Sequence, residues 1–333
     1  MDSVIHLHEV TKRFGHDLAL DRVSLDVPRG IVFALLGENG AGKTTAIRIM
    51  LGLVDANGGR AEVLGLSSQT QGLDIRRRVG YVPERPTLYE WMTVDEIGWF
   101  TAGFYPDGFL PRYRQLAEHF GLAPGKKLKT LSKGARAKVA LSLAMAHDPE
   151  VLILDEPTSG LDTLVRREFL ESMVDRAAAG QTVFLSSHQI VEVERVADVV
   201  AILHRGQLVL VERLDELKRQ TCEVTVTVAD GVATPPELPG QVLACRQRLR
   251  QWQILVRGLP EADLSLLRAQ PGIQEVEVRT PTLEEIFVAY IQGGRDDPGE
   301  DPKCECRNPK QIRITEAPND QDVDTPPGGP FRT

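Results

Sequence analysis

The chain has 333 residues, of which 42% are hydrophobic and 26% charged, apolar content enough for one large or two moderate cores. A formal net charge of −8 argues against a broad nucleic-acid-binding face, which is usually basic, so no nucleic-acid partner is expected. No apolar run approaches the roughly 18 residues of a spanning helix. Met1-Asp2-Ser3-Val4 lacks the pattern of a signal peptide, and the cysteines form neither a disulfide framework nor a zinc spacing, so a cytosolic chain is expected.

Ile5 to Val10 reads as a strand, and Val23, Leu25 and Val27 place a second apolar face at period two before Pro28-Arg29-Gly30. The apolar run Ile31 to Leu36 then enters Gly37-Glu38-Asn39-Gly40-Ala41-Gly42-Lys43-Thr44, with Thr45 behind it. The spacing G-x-x-x-x-G-K-T suits a backbone that wraps phosphates. Glycines let amide N–H groups point inward, and the helix that follows brings its positive end to the anion. Lys43 then reaches the β- and γ-phosphates, and the Thr44 hydroxyl holds Mg²⁺.

Thr44 to Leu53 has helical spacing, Asn57-Gly58-Gly59 reads as a turn, and Arg60 to Leu64 as a short strand. Val79 to Val82 is a brief strand ended by Pro83, which leaves Glu84 where a strand runs into a loop. Thr93-Val94-Asp95-Glu96 is a capping box opening a helix to about Phe104, and a second helix runs from about Arg112 to Phe120. Ser132 is placed as the N-cap of a helix carrying Val139, Leu141 and Leu143. Val151 to Leu154 is a fully apolar run of the kind a parallel sheet buries, and it ends in Asp155-Glu156. Paired carboxylates at the carboxyl end of a buried strand suit metal ligation and proton transfer. Thr182 to Leu185 repeats the pattern and ends in Ser186-Ser187-His188, making His188 a third candidate. Strands at 199–203 and 207–211 and a helix from Asp215 complete this part.

From Cys222 the texture changes to a small α+β unit: strands at 223–228, 253–256 and 273–278, and helices at 262–269 and 283–291. Beyond Gly293 the chain is rich in Gly, Pro, Asp and Glu and poor in apolar residues, which predicts disorder. The expected division is 1–220, with a helical part at about 93–149, then 221–292, and a disordered tail at 293–333.

In this order the motifs resemble those of the ATP-binding subunit of an ABC transporter, over roughly Val4 to Leu217. Gly37 to Thr44 matches Walker A, and Val151 to Glu156 matches Walker B. Leu131-Ser132-Lys133-Gly134-Ala135 is similar to the signature LSGGQ, Ser159-Gly160-Leu161-Asp162 to the D-loop, and His188 to the switch histidine. Phe14 takes the place of the aromatic that stacks on adenine. The resemblance implies an α/β fold, a P-loop NTPase of ABC type with a helical subdomain. It also implies ATP and Mg²⁺, and a homodimer or a heterodimer with another ABC ATPase subunit around two ATP. Asp155 then holds Mg²⁺, Glu156 deprotonates the attacking water, and His188 contacts the γ-phosphate. Ser132 and Gly134 bind that phosphate from the opposite subunit. Glu84 stands where the family has a Mg²⁺-touching glutamine, and its carboxylate is expected to ligate that ion with Thr44 and Asp155; Lys133 and Ala135 depart from the signature.

Tyr89-Glu90-Trp91 lies where that family docks its membrane permease, which places the chain on the cytoplasmic face of the cell membrane. The small unit from Cys222, ending in Thr282 to Phe287, looks like the C-terminal extension of ABC-2-type exporter subunits, with dimer contact or regulation as its expected role. A soluble ABC ATPase acting on ribosomes or nucleic acid is the alternative. A degenerate module without turnover is disfavoured by the presence of Lys43, Asp155, Glu156 and His188 together.

Overall fold

The computed structural model describes residues 3–229 and 234–293; the expected disordered tail lies outside them, apart from Gly293. Strands β1 (Ser3–Phe14) and β2 (Asp17–Pro28) form an antiparallel hairpin, followed by β3 (Val32–Leu36) and α1 (Lys43–Met50). Next come β4 (Gly58–Val63), β5 (Leu66–Ser67), α2 (Gly72–Arg78) and β6 (Val79–Val82). Helices α3 (Val94–Ala102), α4 (Phe109–His119) and α5 (Lys133–Met145) make the helical part. The chain returns to sheet as β7 (Val151–Asp155), α6 (Thr163–Ala178), β8 (Thr182–Ser187), α7 (Ile190–Val193), β9 (Val199–His204) and β10 (Gln207–Arg213). Beyond α8 (Leu214–Gln220) lie β11 (Thr221–Val228), β12 (Gln241–Arg248), β13 (Gln251–Arg257), α9 (Glu261–Arg268), β14 (Ile273–Arg279) and α10 (Leu283–Gly293).

Three sheets result: antiparallel β2-β1-β4-β5, central β10-β9-β3-β8-β7-β6, and antiparallel β12-β13-β11-β14. The central sheet is parallel except at its β10 edge. Its middle strand β3 is buried along its whole length, and it sends Phe33 and Leu35 into one core and Ala34 and Leu36 into the other. An unbroken apolar run is what burial on both faces requires. The first core is shared with the β1–β2 hairpin, and the second with the helices.

The capping box forms as its residues dictate: Glu96 N–H donates to Thr93 Oγ1 at 3.2 Å, and Thr93 N–H donates to Glu96 Oε2 at 2.7 Å. Asn57-Gly58-Gly59, expected as a turn, opens strand β4 instead, because Thr11 pairs with Gly58 across the sheet. Helices α2 and α6 and strand β12 carry no clear period in the sequence. In α6 only Phe169, Leu170 and Met173 are buried out of 16 residues, too few for a helical period to stand out.

The third sheet carries its own small core of Val224, Val226, Ile254, Val256 and Leu267. Helix α10 does not join that core. Leu283, Ile286, Phe287, Tyr290 and Ile291 bury into the large core beside Val193, Leu214 and Leu217. Its start is fixed by Glu285, whose carboxylate accepts from Thr282 N at 2.8 Å and from Arg279 Nη1 and Nη2 at 2.9 and 2.6 Å. The Arg279 hydrogen bonds hold this carboxyl down from its ordinary 4.5 to about 2. A carboxyl whose folded value lies below its unfolded one adds stability in full above the ordinary value and loses it as pH falls through the folded one. Glu285→Gln is therefore expected to melt at a lower temperature than the parent at neutral pH. The gap should close as pH falls from about 4.5 toward about 2, as followed by calorimetry across that range.

Candidate functional site at the carboxyl ends of the central strands

Strand register brings the site together. Leu36 at the end of β3 lies beside Ser187 of β8, Ser186 of β8 beside Asp155 of β7, and Leu154 of β7 beside Val82 of β6. The glycine loop, His188, the Asp155-Glu156 pair and the Glu84 loop thus leave adjacent strands on one edge. That is where open α/β sheets bind ligands.

The loop is held from behind. Gly206 N–H donates to Ala41 O at 3.0 Å, and a Cβ on Gly42 would lie 2.5 Å from Ala19 O on β2. Gly42 also has φ +109°, so glycine is required twice over at this position, the N-cap of α1. No acidic side chain sits in the first turn of α1, which leaves its positive end for an anion. Thr44 and Thr45 are half-buried in that turn, and Glu38, Asn39 and Gly40 form the exposed rim of the loop.

Lys43 is 6% exposed and folds back beneath the loop, donating to Gly37 O at 2.6 Å and Glu38 O at 3.2 Å. Its Nζ also lies 3.0 Å from Glu156 Oε1. The angle there is not that of a hydrogen bond, and Oε1 has no hydrogen-bond donor, so the contact is an ion pair. The other oxygen, Oε2, lies 2.7 Å from His188 Nδ1 and accepts from His188 N at 3.3 Å. One carboxylate, 8% exposed, joins lysine to histidine. Glu156 stands at φ +50°, an uncommon backbone for a non-glycine residue, and Ser186 O and Oγ, each 3.1 Å from its N–H, keep it there.

Ser186 is the residue that sequence reasoning missed. Its hydroxyl donates to Asp155 Oδ1 at 2.6 Å while accepting from Glu156 N, so it fixes both carboxylate-bearing residues. Its place after a buried strand and before His188 was the available signal. Asp155 is buried, and its charge adds to the larger effect of burial in pushing the Tyr81 hydroxyl up to about 12.

The remaining candidates lie further out. Phe14 is 52% exposed at the end of β1, with Lys12 Nζ 5.0 Å from its ring centroid, so an open aromatic face is present. Glu84 is 47% exposed, and its ion-pair partner is the neighbouring Arg85 at 3.9 Å; no hydrogen bond or ion pair among the described residues ties it to Thr44 or Asp155. Ser132 caps α5 by accepting from Ala135 N at 3.2 Å, and Gly134 is buried against Val165 of α6. No hydrogen bond or ion pair among the described residues joins either to the glycine loop of the same chain. The Thr44 hydroxyl and Asp155 carboxylate are hard oxygen donors, which fits Mg²⁺, an ion bound through one or two protein oxygens plus substrate phosphates.

Known proteins resemble this chain over the stretch that carries the glycine loop and the Asp155-Glu156 pair. The family described as ABC transporter matches residues 20–159. An uncharacterized ABC transporter ATP-binding protein of Nostoc sp. is 40% identical over 60% of this chain, which spans 61% of that relative's length. The bacitracin transport ATP-binding protein BcrA of Enterococcus faecalis is 32% identical over 69% of this chain and 76% of its own. A solved structure of the ATP-binding subunit of an ABC transporter is 31% identical, with a TM-score of 0.61, covering 65% of this chain and 92% of that one.

Gly42→Ala tests the cradle. The clash with Ala19 O and the left-handed backbone are expected to weaken binding of a fluorescent ATP analogue at least roughly ten-fold in an equilibrium titration.

Proposed function

The chain belongs to the family of ABC transporter ATP-binding proteins, a family of ATPases, and on that premise we propose that it powers export through a separate membrane permease, working as a dimer around two ATP. The observation that carries the catalytic part is the Lys43–Glu156–His188 chain at the ends of β3, β7 and β8. ATP phosphates entering the loop meet the α1 amides and offer Lys43 anionic oxygens in place of Glu156. Glu156, still held by His188, is then released to accept a proton from the water that attacks the γ-phosphate. With Nδ1–H donated to Glu156, His188 can donate to that phosphate only through a protonated Nε2, that is, as the imidazolium. Thr44 and Asp155 would hold Mg²⁺, which supplies charge neutralisation on the phosphates. Phe14 offers its open face to the adenine.

Among the described residues no hydrogen bond or ion pair ties Ser132 or the α5 amides to the glycine loop, which favours a second ATPase subunit across the site. The permease reading rests on an aromatic surface. Trp91 and Phe104 are 65% and 68% exposed, and Tyr89 links them, with ring centroids 6.1 Å from Trp91 and 5.4 Å from Phe100, itself 5.5 Å from Phe104. Apolar surface of this kind on a charged chain marks an interface. No helix among the described residues is long and apolar enough to cross a membrane. The likeness of the unit from Cys222 to exporter subunits supports outward transport, and the relative named for bacitracin transport supports a drug-like cargo.

Glu156→Gln is expected to lower steady ATP hydrolysis by about 10³-fold while leaving ATP affinity within a few-fold. Phosphate release together with equilibrium binding checks this, and hydrolysis at the parental rate would remove Glu156 from the base role. Tagged Glu156→Gln protein recovered from solubilised membranes with ATP should bring down a multi-span protein in equal amount. Adding Trp91→Ala and Phe104→Ala should reduce that recovery without changing ATP affinity. Recovery of ribosomes instead of a membrane protein would overturn the transport reading.

A further inference from the structure

His188 is attached to the fold through a helix that cannot hold itself in place. The four residues of α7 begin two positions after it, and a helix that short has no independent stability. Its position is set by what grips three successive side chains. Glu192 Oε1 pairs with Arg166 Nη1 of α6 at 2.8 Å, and Arg166 Nη2 also donates to Leu161 O in the loop before α6 at 2.9 Å. Val193 is 1% exposed, in the core that also receives Ile286 and Phe287 of α10. Glu194 Oε1 lies 2.5 Å from Lys218 Nζ of α8 and accepts from the N–H of Leu283, the first residue of α10, at 3.3 Å.

The Glu194 contacts matter because neither partner belongs to the ATPase sheets. Lys218 lies on the helix that leads into the third sheet, and Leu283 starts the last described helix, 89 residues after Glu194. The N-terminal N–H groups of α10 have no partner within their helix, so an acidic side chain there gains both a hydrogen bond and the helix dipole.

We propose that Glu194 is a positioning residue, and that α8 and α10 hold it, and with it α7, so that His188 meets Glu156 at the 2.7 Å observed. The C-terminal segment thereby sets the catalytic geometry of the ATP site without touching nucleotide. The kinetic part of this inference rests on the ATPase reading above. Displacement of α10 from Glu194 loosens His188 first; the phosphate loop, tied to β2 and the Gly206 turn, stays formed.

The test uses the full chain with Glu194→Ala, Glu194→Gln and Lys218→Met. Glu194→Ala should lower kcat about ten-fold. KM and the affinity for a fluorescent ATP analogue should change less than about two-fold. Glu194→Gln, which retains an oxygen for Leu283 N–H, should recover part of the loss, and Lys218→Met should fall between Gln and parent. With histidine-selective isotope labelling, the ring resonance of His188, assigned by its absence in His188→Gln, should move in Glu194→Ala while the other histidines stay put. A parental kcat, a loss shared equally by ATP affinity, or an unmoved His188 resonance in folded Glu194→Ala would each overturn the proposal. Should the parent not hydrolyse ATP, the proposed function falls, and the ring resonance still decides whether Glu194 positions His188.

Discussion

The structure turns on a lysine ammonium and a glutamate carboxylate 3.0 Å apart, both almost fully buried. Taking two charges out of water costs more than their attraction returns unless other groups complete their hydrogen bonding. Here Gly37 O, Glu38 O and His188 supply most of that completion, while Glu156 Oε1 is left without a donor. The pair therefore has latitude to exchange partners. An anionic oligophosphate is a better match for the ammonium, and a water molecule for the carboxylate.

Such a contact is possible only if three strands distant in sequence lie side by side with their ends level. β3, β8 and β7 do so because each is apolar on both faces and can be buried between two cores. The left-handed backbone of Glu156 is part of the same demand. It turns the chain sharply off β7, and Ser186 secures the turn from β8. An extended backbone at this position would carry the next side chains onward along the strand and away from the loop.

The C-terminal part has a divided allegiance. Its sheet closes a small core of its own, yet α10 completes the core of the ATPase part and reaches the segment next to His188. Removing everything from Cys222 onward would strip the cover from Val193, Leu214 and Leu217 as well as the Leu283 contact of Glu194, leaving only Lys218 beside it, so such a truncation mixes stability with catalysis. Point changes at Glu194 separate the two.

The sequence by itself determined the loop chemistry, the strand ends that carry Asp155, Glu156 and His188, and the caps at Thr93 and Ser132. Each is written in contiguous residues, where period and spacing can be read without knowing what packs against them. It also marked the change of texture at Cys222. Which strands are neighbours was decided by tertiary structure, since strand pairing is not local. The ion pair of Lys43 with Glu156, the double role of Ser186 and the outward turn of Glu84 all follow from that order. The same holds for α10. Its apolar stripe shows that it must bury a face, but two cores were available. The choice was made by the fit of Ile286 and Phe287 beside Val193 and by the hydrogen bond across 89 residues to Glu194.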